Sequence, residues 1–272
     1  MSLARGLAVV GTSPALLASV FLGTLALWLT YSSSGVIRVA SPGVMGQLDS
    51  VPPVHSLLDI QFLLQATRVF TAAGTVGVGV ALLLVRTALM AFWLSMILSG
   101  FQEGGDWRAT LRSAGRRTLD RYVVMLEVEA GFVVLVYVFS LVLGSFLGLI
   151  GLLGVVIVTM IFLIDVPIAV VAERVGVREA VRLSLRAARL PGRQHIMLSS
   201  TYVFLTIFLI SATVAGPASP ATPSILVWAY VLFLSAVHVS ILAAFTYRWL
   251  VVKGTVFEEI ATGALRRPIL RP

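Results

Sequence analysis

Cysteine is absent from the 272 residues, which excludes disulfides, thiolate metal sites and cysteine nucleophiles. Charge is scarce as well. Only 12% of residues are Asp, Glu, Lys or Arg, where a soluble domain carries about a quarter. Lysine is nearly missing, with Lys253 the only one among twenty basic residues. The three histidines, His55, His195 and His238, are too far apart for paired zinc ligation, and neither a GxSxG elbow nor a GxxxxGK[ST] phosphate loop occurs. These absences leave no constellation for catalysis, cofactor binding or a metal site, so the sequence is expected to encode a non-enzyme without cofactors.

What remains is apolar. Hydrophobic residues make up 58% of the chain and the mean hydropathy is +1.01. Several runs reach the roughly 18 to 20 residues that cross a bilayer. The pattern predicts an all-α, single-domain bundle of about six transmembrane helices over 14–31, 75–99, 123–144, 154–172, 197–215 and 224–250. The long apolar stretch 122–172 is divided at the glycines of "GSFLGLIGLLG", because it exceeds one crossing. Residues 2–12 are expected to form a short interfacial segment before the first span, which begins at the Ser13-Pro14 pair. The first span is too long for a cleaved leader and lacks a small-x-small exit. Residues 57–73 carry Asp59, Gln61, Gln65 and Arg68 among apolar positions at helical spacing, which suits a helix lying on the membrane better than a span.

Charge sets the orientation. With six spans, seventeen basic residues fall on the side of both termini and only Arg38 and Arg68 on the other, while Arg86 lies inside a span. The positive-inside rule makes the rich side cytoplasmic, which predicts a multi-pass plasma-membrane protein. The preference for arginine over lysine fits a GC-rich bacterial genome. Nucleic acid is not an expected partner, since no stacking aromatics interleave with the basic residues and topology accounts for the charge. The expected partners are the bilayer, its anionic headgroups and other membrane subunits.

Two basic segments align at an offset of 70 residues. Glu103, Arg108, Arg112 and Arg116 fall on Glu173, Arg178, Arg182 and Arg186, which suggests an internal repeat, 75–145 with 145–215. A spacing of four places each set of arginines in one helical stripe. Val177, Val181, Leu185 and Ala188 would back the second stripe, and Leu111, Ala114 and Leu119 the first. Both segments are expected to be amphipathic cytoplasmic helices that dock anionic lipid or a partner. Gly176 or Asp106 would open them, and Pro191-Gly192 would stop the second.

The run "DVPIAVVAE" followed by "GVREAVRLSLRAARLPGRQHIMLSS" resembles the repeating core of the glycerophosphodiester phosphodiesterase membrane-domain clan, which includes the YciC-like six-span families. Pro167, Glu173, Gly176, Ala180, Ser184 and Arg186 occupy the motif positions, and "LSMILSGFQEGGDWRATLRSAGRR" resembles the first repeat. Leu185 stands where a tryptophan is common in the clan. The resemblance spans about 75–250 and implies a six-span fold. In the named family a phosphodiesterase domain follows the membrane region; here only about 22 residues follow the sixth span, so that activity is not expected.

Ionisable residues inside the bilayer are costly and mark candidate sites. Arg86, Asp165, His238 and the Glu127/Glu129 pair, taken as one site, are the candidates. Counted along their helices, Arg86 and His238 lie at comparable depth and Asp165 nearer the cytoplasm. The five tryptophans are expected mostly near span ends, in an interfacial belt.

Overall fold

The computed structural model describes residues 2–33, 76–103, 107–190, 195–202, 204 and 225–262. The expected surface helix at 57–73 and most of the expected span at 197–215 lie outside them. Among the described residues every regular element is an α-helix: α1 Ser2–Thr12, α2 Pro14–Ser33, α3 Val76–Glu103, α4 Trp107–Leu163, α5 Val166–Glu173, α6 Val177–Arg189 and α7 Ile225–Thr262. Residues 195–202 are also helical. Two helices are long and apolar enough to cross a membrane, over Leu83–Phe101 of α3 and Val231–Phe257 of α7. The bent pair α1–α2 would make a third.

The bend between α1 and α2 is 94°, and it follows from Pro14. Proline has no N–H to continue α1 but is tolerated in the first turn of the next helix. The Ser13 carbonyl accepts from the backbone N–H groups of Leu16 and Leu17, at 3.1 and 3.2 Å. The chain then turns back across the bundle, and α1 lies along α7 rather than forming an interfacial lead-in. The contact is close because Gly6 has no side chain. A Cβ there would stand 2.1 Å from the Ser240 carbonyl oxygen. The sequence reading of 2–12 is corrected accordingly: its apolar face, with Val9 and Val10, packs onto the core.

At the centre α7 meets α1, α2, α3, α5 and α6. Trp249, Phe245 and Leu242 from α7, Trp93, Met90, Leu94 and Leu98 from α3, and Leu16 and Val20 from α2 form the fully buried core. Trp93, the tryptophan farthest from a span end, and Trp249, expected in the interfacial belt, are both core residues; the side chains of Trp28, Trp107 and Trp228 are not among those described.

α4 departs most from expectation. Its 57 residues are helical throughout, including the glycines at 144–154 where the sequence suggests a turn. The helix is not straight, however. Residues 121 and 163 of a straight helix would stand about 63 Å apart, whereas Arg121 bonds the Arg174 carbonyl, so α4 bends back on itself between them. Each glycine costs a helix about 1 kcal/mol relative to alanine. A turn in an apolar setting would instead strand several backbone groups that the helix pairs.

Gly6 is the position where packing tolerates least. Gly6→Ala should destabilise the fold by about 1–3 kcal/mol, since a backbone oxygen cannot rotate out of the way. Gly11→Ala, with open space around it, should stay within about 0.5 kcal/mol. Thermal unfolding in detergent, followed by circular dichroism, compares the two.

Candidate functional site

The interior polar groups gather around a helix break. Pro167 has no N–H, and its ring opposes the carbonyl of Leu163, four residues back. α4 accordingly stops at Leu163, and α5 begins at Val166 with Pro167 in its first turn. A break strands the preceding carbonyls, which must find other donors. Ser184 Oγ of α6 donates to the Phe162 carbonyl at 2.7 Å. His195 Nε2 lies 2.6 Å from the Ile161 carbonyl, so that nitrogen carries the proton and donates. The buried Nδ1 is left as an acceptor, with no partner among the described residues.

Asp165 sits in the break itself and is fully buried. Arg248 of α7 reaches it with Nη1 at 2.8 Å and extends Nη2 to the Ala187 carbonyl of α6 at 2.9 Å. One guanidinium thus ties the last helix to both the break and the end of α6. Asp165 at the amino end of α5 is favourably placed for the helix dipole. Glu173 at the carboxyl end is not, and it is held by Trp249 Nε1 at 3.0 Å and Lys253 Nζ at 3.3 Å. Residue 174 then turns left-handed, with φ 56°, and Arg121 of α4 donates to its carbonyl at 2.9 Å. Gly176, in extended conformation, opens α6. Pro167, Glu173, Gly176, Ala180 and Ser184, the positions that carry the family resemblance, therefore build one joint: break, anchored end, turn and returning helix.

A second buried pair lies between α3 and α4, where Arg86 Nη1 donates to Glu129 Oε2. Both residues are 1% exposed, so neither meets solvent. His238 of α7 lies near enough to feel the Arg86 charge and packs edge-on against Trp93, with ring centroids 5.5 Å apart. Arg86 and His238 thus come together as their depths suggest. Asp165 does not join them, because Arg248 claims it. Glu127 is corrected too: it is exposed, while Glu129, two residues on and on another face of α4, turns inward.

The arginine stripes are on the outside. Arg108, Arg112 and Arg116 of α4 and Arg178 and Arg182 of α6 are exposed, and Arg186 is half-buried. Arg182 is 3.5 Å from Glu179 on its own helix. A shallow groove of about 790 Å³ between the two helices is lined by Glu127, Gly176, Val177, Arg178, Glu179 and Arg182, so it mixes both signs. The buried face of α6 is Ala180, Leu183, Ser184 and Ala187, rotated from the predicted Val177, Val181, Leu185 and Ala188. The polar bond of Ser184 to the broken helix sets that rotation. In α4, Ala114 is buried as expected, whereas Leu111 and Leu119 are exposed.

Sequence reading missed Arg248 and Lys253, which were counted among the topology-setting cations. Their signal is their place within "AAFTYRWLVVKG", an apolar run that requires partners for its charges. Comparison with known protein families, curated proteins and solved structures returns no match for this chain.

Two measurements check the site. Arg86→Leu alone should cost about 3–5 kcal/mol by leaving Glu129 buried without its cation, and adding Glu129→Leu should recover most of that. Burial, then the Arg248 charge, hold the His195 imidazole below its ordinary range, against the opposing pull of Asp165 and the Ile161 carbonyl. The unfolded chain therefore binds the extra proton first. The neutral-histidine contribution is fully present above about pH 6.5 and falls as pH drops from there toward the folded value. Unfolding midpoints should show this loss on acidification, and His195→Gln should flatten it.

Proposed function

We propose that the chain is an integral membrane protein that acts as a non-catalytic scaffold or accessory subunit of a membrane assembly. The observation that carries this reading is how its interior charges are used. Arg86 with Glu129 joins α3 to α4, Arg248 with Asp165 joins α7 to the break between α4 and α5, and Lys253 with Glu173, at a more exposed place, joins α7 to the end of α5. Charges paired in this way hold helices in register, which a structural component needs. The resemblance to the glycerophosphodiester phosphodiesterase membrane domain supports the same reading, since its motif residues form the joint rather than a reactive centre.

The reading includes a multi-pass topology with the arginine-rich segments and both termini in the cytoplasm. Placing both termini on one side requires an even number of crossings. The Arg121–Arg174 contact, which needs α4 to bend back on itself, supports the reversal near 144–154 that six crossings need. Cysteine labelling of this cysteine-free chain should report Ser113, Leu183 and Gly263 on the cytoplasmic side and Gly46 and Ala218 outside. Gly46 and Ser113 on one side would contradict it.

A small transporter or permease is the second reading. Glu129 Oε1, Asp165 Oδ1, His195 Nδ1 and His238 Nε2 are buried and have no hydrogen-bond partner among the described residues. Such acceptors suit a polar path through the bundle. Purification from native membranes separates the two. A stoichiometric protein partner, with no solute flux in reconstituted vesicles, is the expected result. Flux abolished by both Arg86→Leu and its double variant with Glu129→Leu, in a folded protein, would favour transport.

A further inference from the structure

The exposed arginines of α4 do not stand alone on their face. At 100° per residue, Arg108, Arg112 and Arg116 fall within one quadrant of the helix, and the next residues down that quadrant are Leu119 and Val123. Leu119 is 79% exposed and Val123 65%, far more than a helix buried against its own protein would leave. The arginines occupy about 12 Å of helix axis, and the leucine follows within one turn. That order, cations first and then bare apolar side chains, matches the descent from headgroup phosphates into the acyl region.

Below Val123, Glu127 is exposed beside this face, and Val134, at the edge of the same quadrant, is exposed and apolar. Over 108–121 five arginines stand against Asp120 alone, so the segment is strongly cationic. α6 presents Arg178 and Arg182, but Glu179 stands between them and pairs with Arg182 at 3.5 Å, and this makes it the weaker anion surface.

We propose that the amino-terminal segment of α4 is an anionic-phospholipid docking surface, with Arg108, Arg112 and Arg116 holding lipid phosphates and Leu119 and Val123 entering the acyl layer. This rests on reading the chain as an integral membrane protein and names the lipid class that such a protein would select. An acidic protein is the other occupant that the charge would attract. The bare apolar pair directly beneath the arginines, Leu119 and Val123, favours lipid.

The test uses the full chain purified in detergent, with phosphatidylglycerol and phosphatidylcholine as probes and retained lipid counted by native mass spectrometry. Wild-type protein should retain phosphatidylglycerol preferentially, and less so as salt is raised. The triple variant R108Q/R112Q/R116Q should lose about fivefold in apparent affinity per arginine, on the order of 100-fold in all. L119Q/V123Q should weaken both lipids while keeping the preference. Equal retention of the two lipids by wild-type protein would overturn the proposal. So would wild-type phosphatidylglycerol affinity in the triple variant, or arginine-dependent capture of an acidic protein with lipid binding unmoved. Release of the chain from membranes by alkaline carbonate would instead sink the membrane reading, independently of lipid preference.

Discussion

The ion pair between Arg248 and Asp165 sits where three parts of the chain depend on it. Pro167 forces the break after Leu163, the break exposes Asp165 to the interior, and an interior carboxylate requires a cation. Arg248 supplies it and at the same time closes the carbonyl end of α6 at Ala187. α7 is thereby fixed along its axis, which sets Trp249 and Lys253 against Glu173 and brings Ser240 over Gly6. Without that anchor, apolar helices could slide past one another at little cost, because hydrophobic contact alone specifies register poorly.

The same logic extends to Arg86 and Glu129 one layer away. Each buried pair carries a desolvation penalty that its own attraction offsets only with good geometry. What the pairs provide is a single arrangement of helices. A chain with only 12% charged residues that commits four of them to two buried pairs places them where a scaffold needs them. The arginines left outside then serve orientation and surface contact. The interior and exterior charges thus do separate jobs.

Helical class was legible from composition and the length of apolar runs, because backbone groups in apolar surroundings have few other ways to be satisfied. The start at Gly176 could also be read, since glycine acts locally. The break before Pro167 was not read, and 154–172 was expected as one span although proline ends a helix at such a place. Partnership could not be read either. Asp165 was visible as a costly residue, yet its partner lies 83 positions away, and nothing local distinguishes Arg248 from a topology signal. The face of α6 was read one position off, because Ser184 looks like a surface residue until the orphan carbonyl of Phe162 is in view. At 144–154 the glycines were read as a turn, and the backbone stays helical there, since an open turn in apolar surroundings would leave its groups unpaired.

The most direct test of the account is the coupling between Asp165 and Arg248, measured by unfolding Asp165→Leu, Arg248→Leu and the double variant. The account predicts that each single change costs about 3–5 kcal/mol, while the double costs less than the sum by more than about 1 kcal/mol, the signature of one shared buried interaction. Additive losses would show that Arg248 and Asp165 act separately, and would contradict the central place given to this pair.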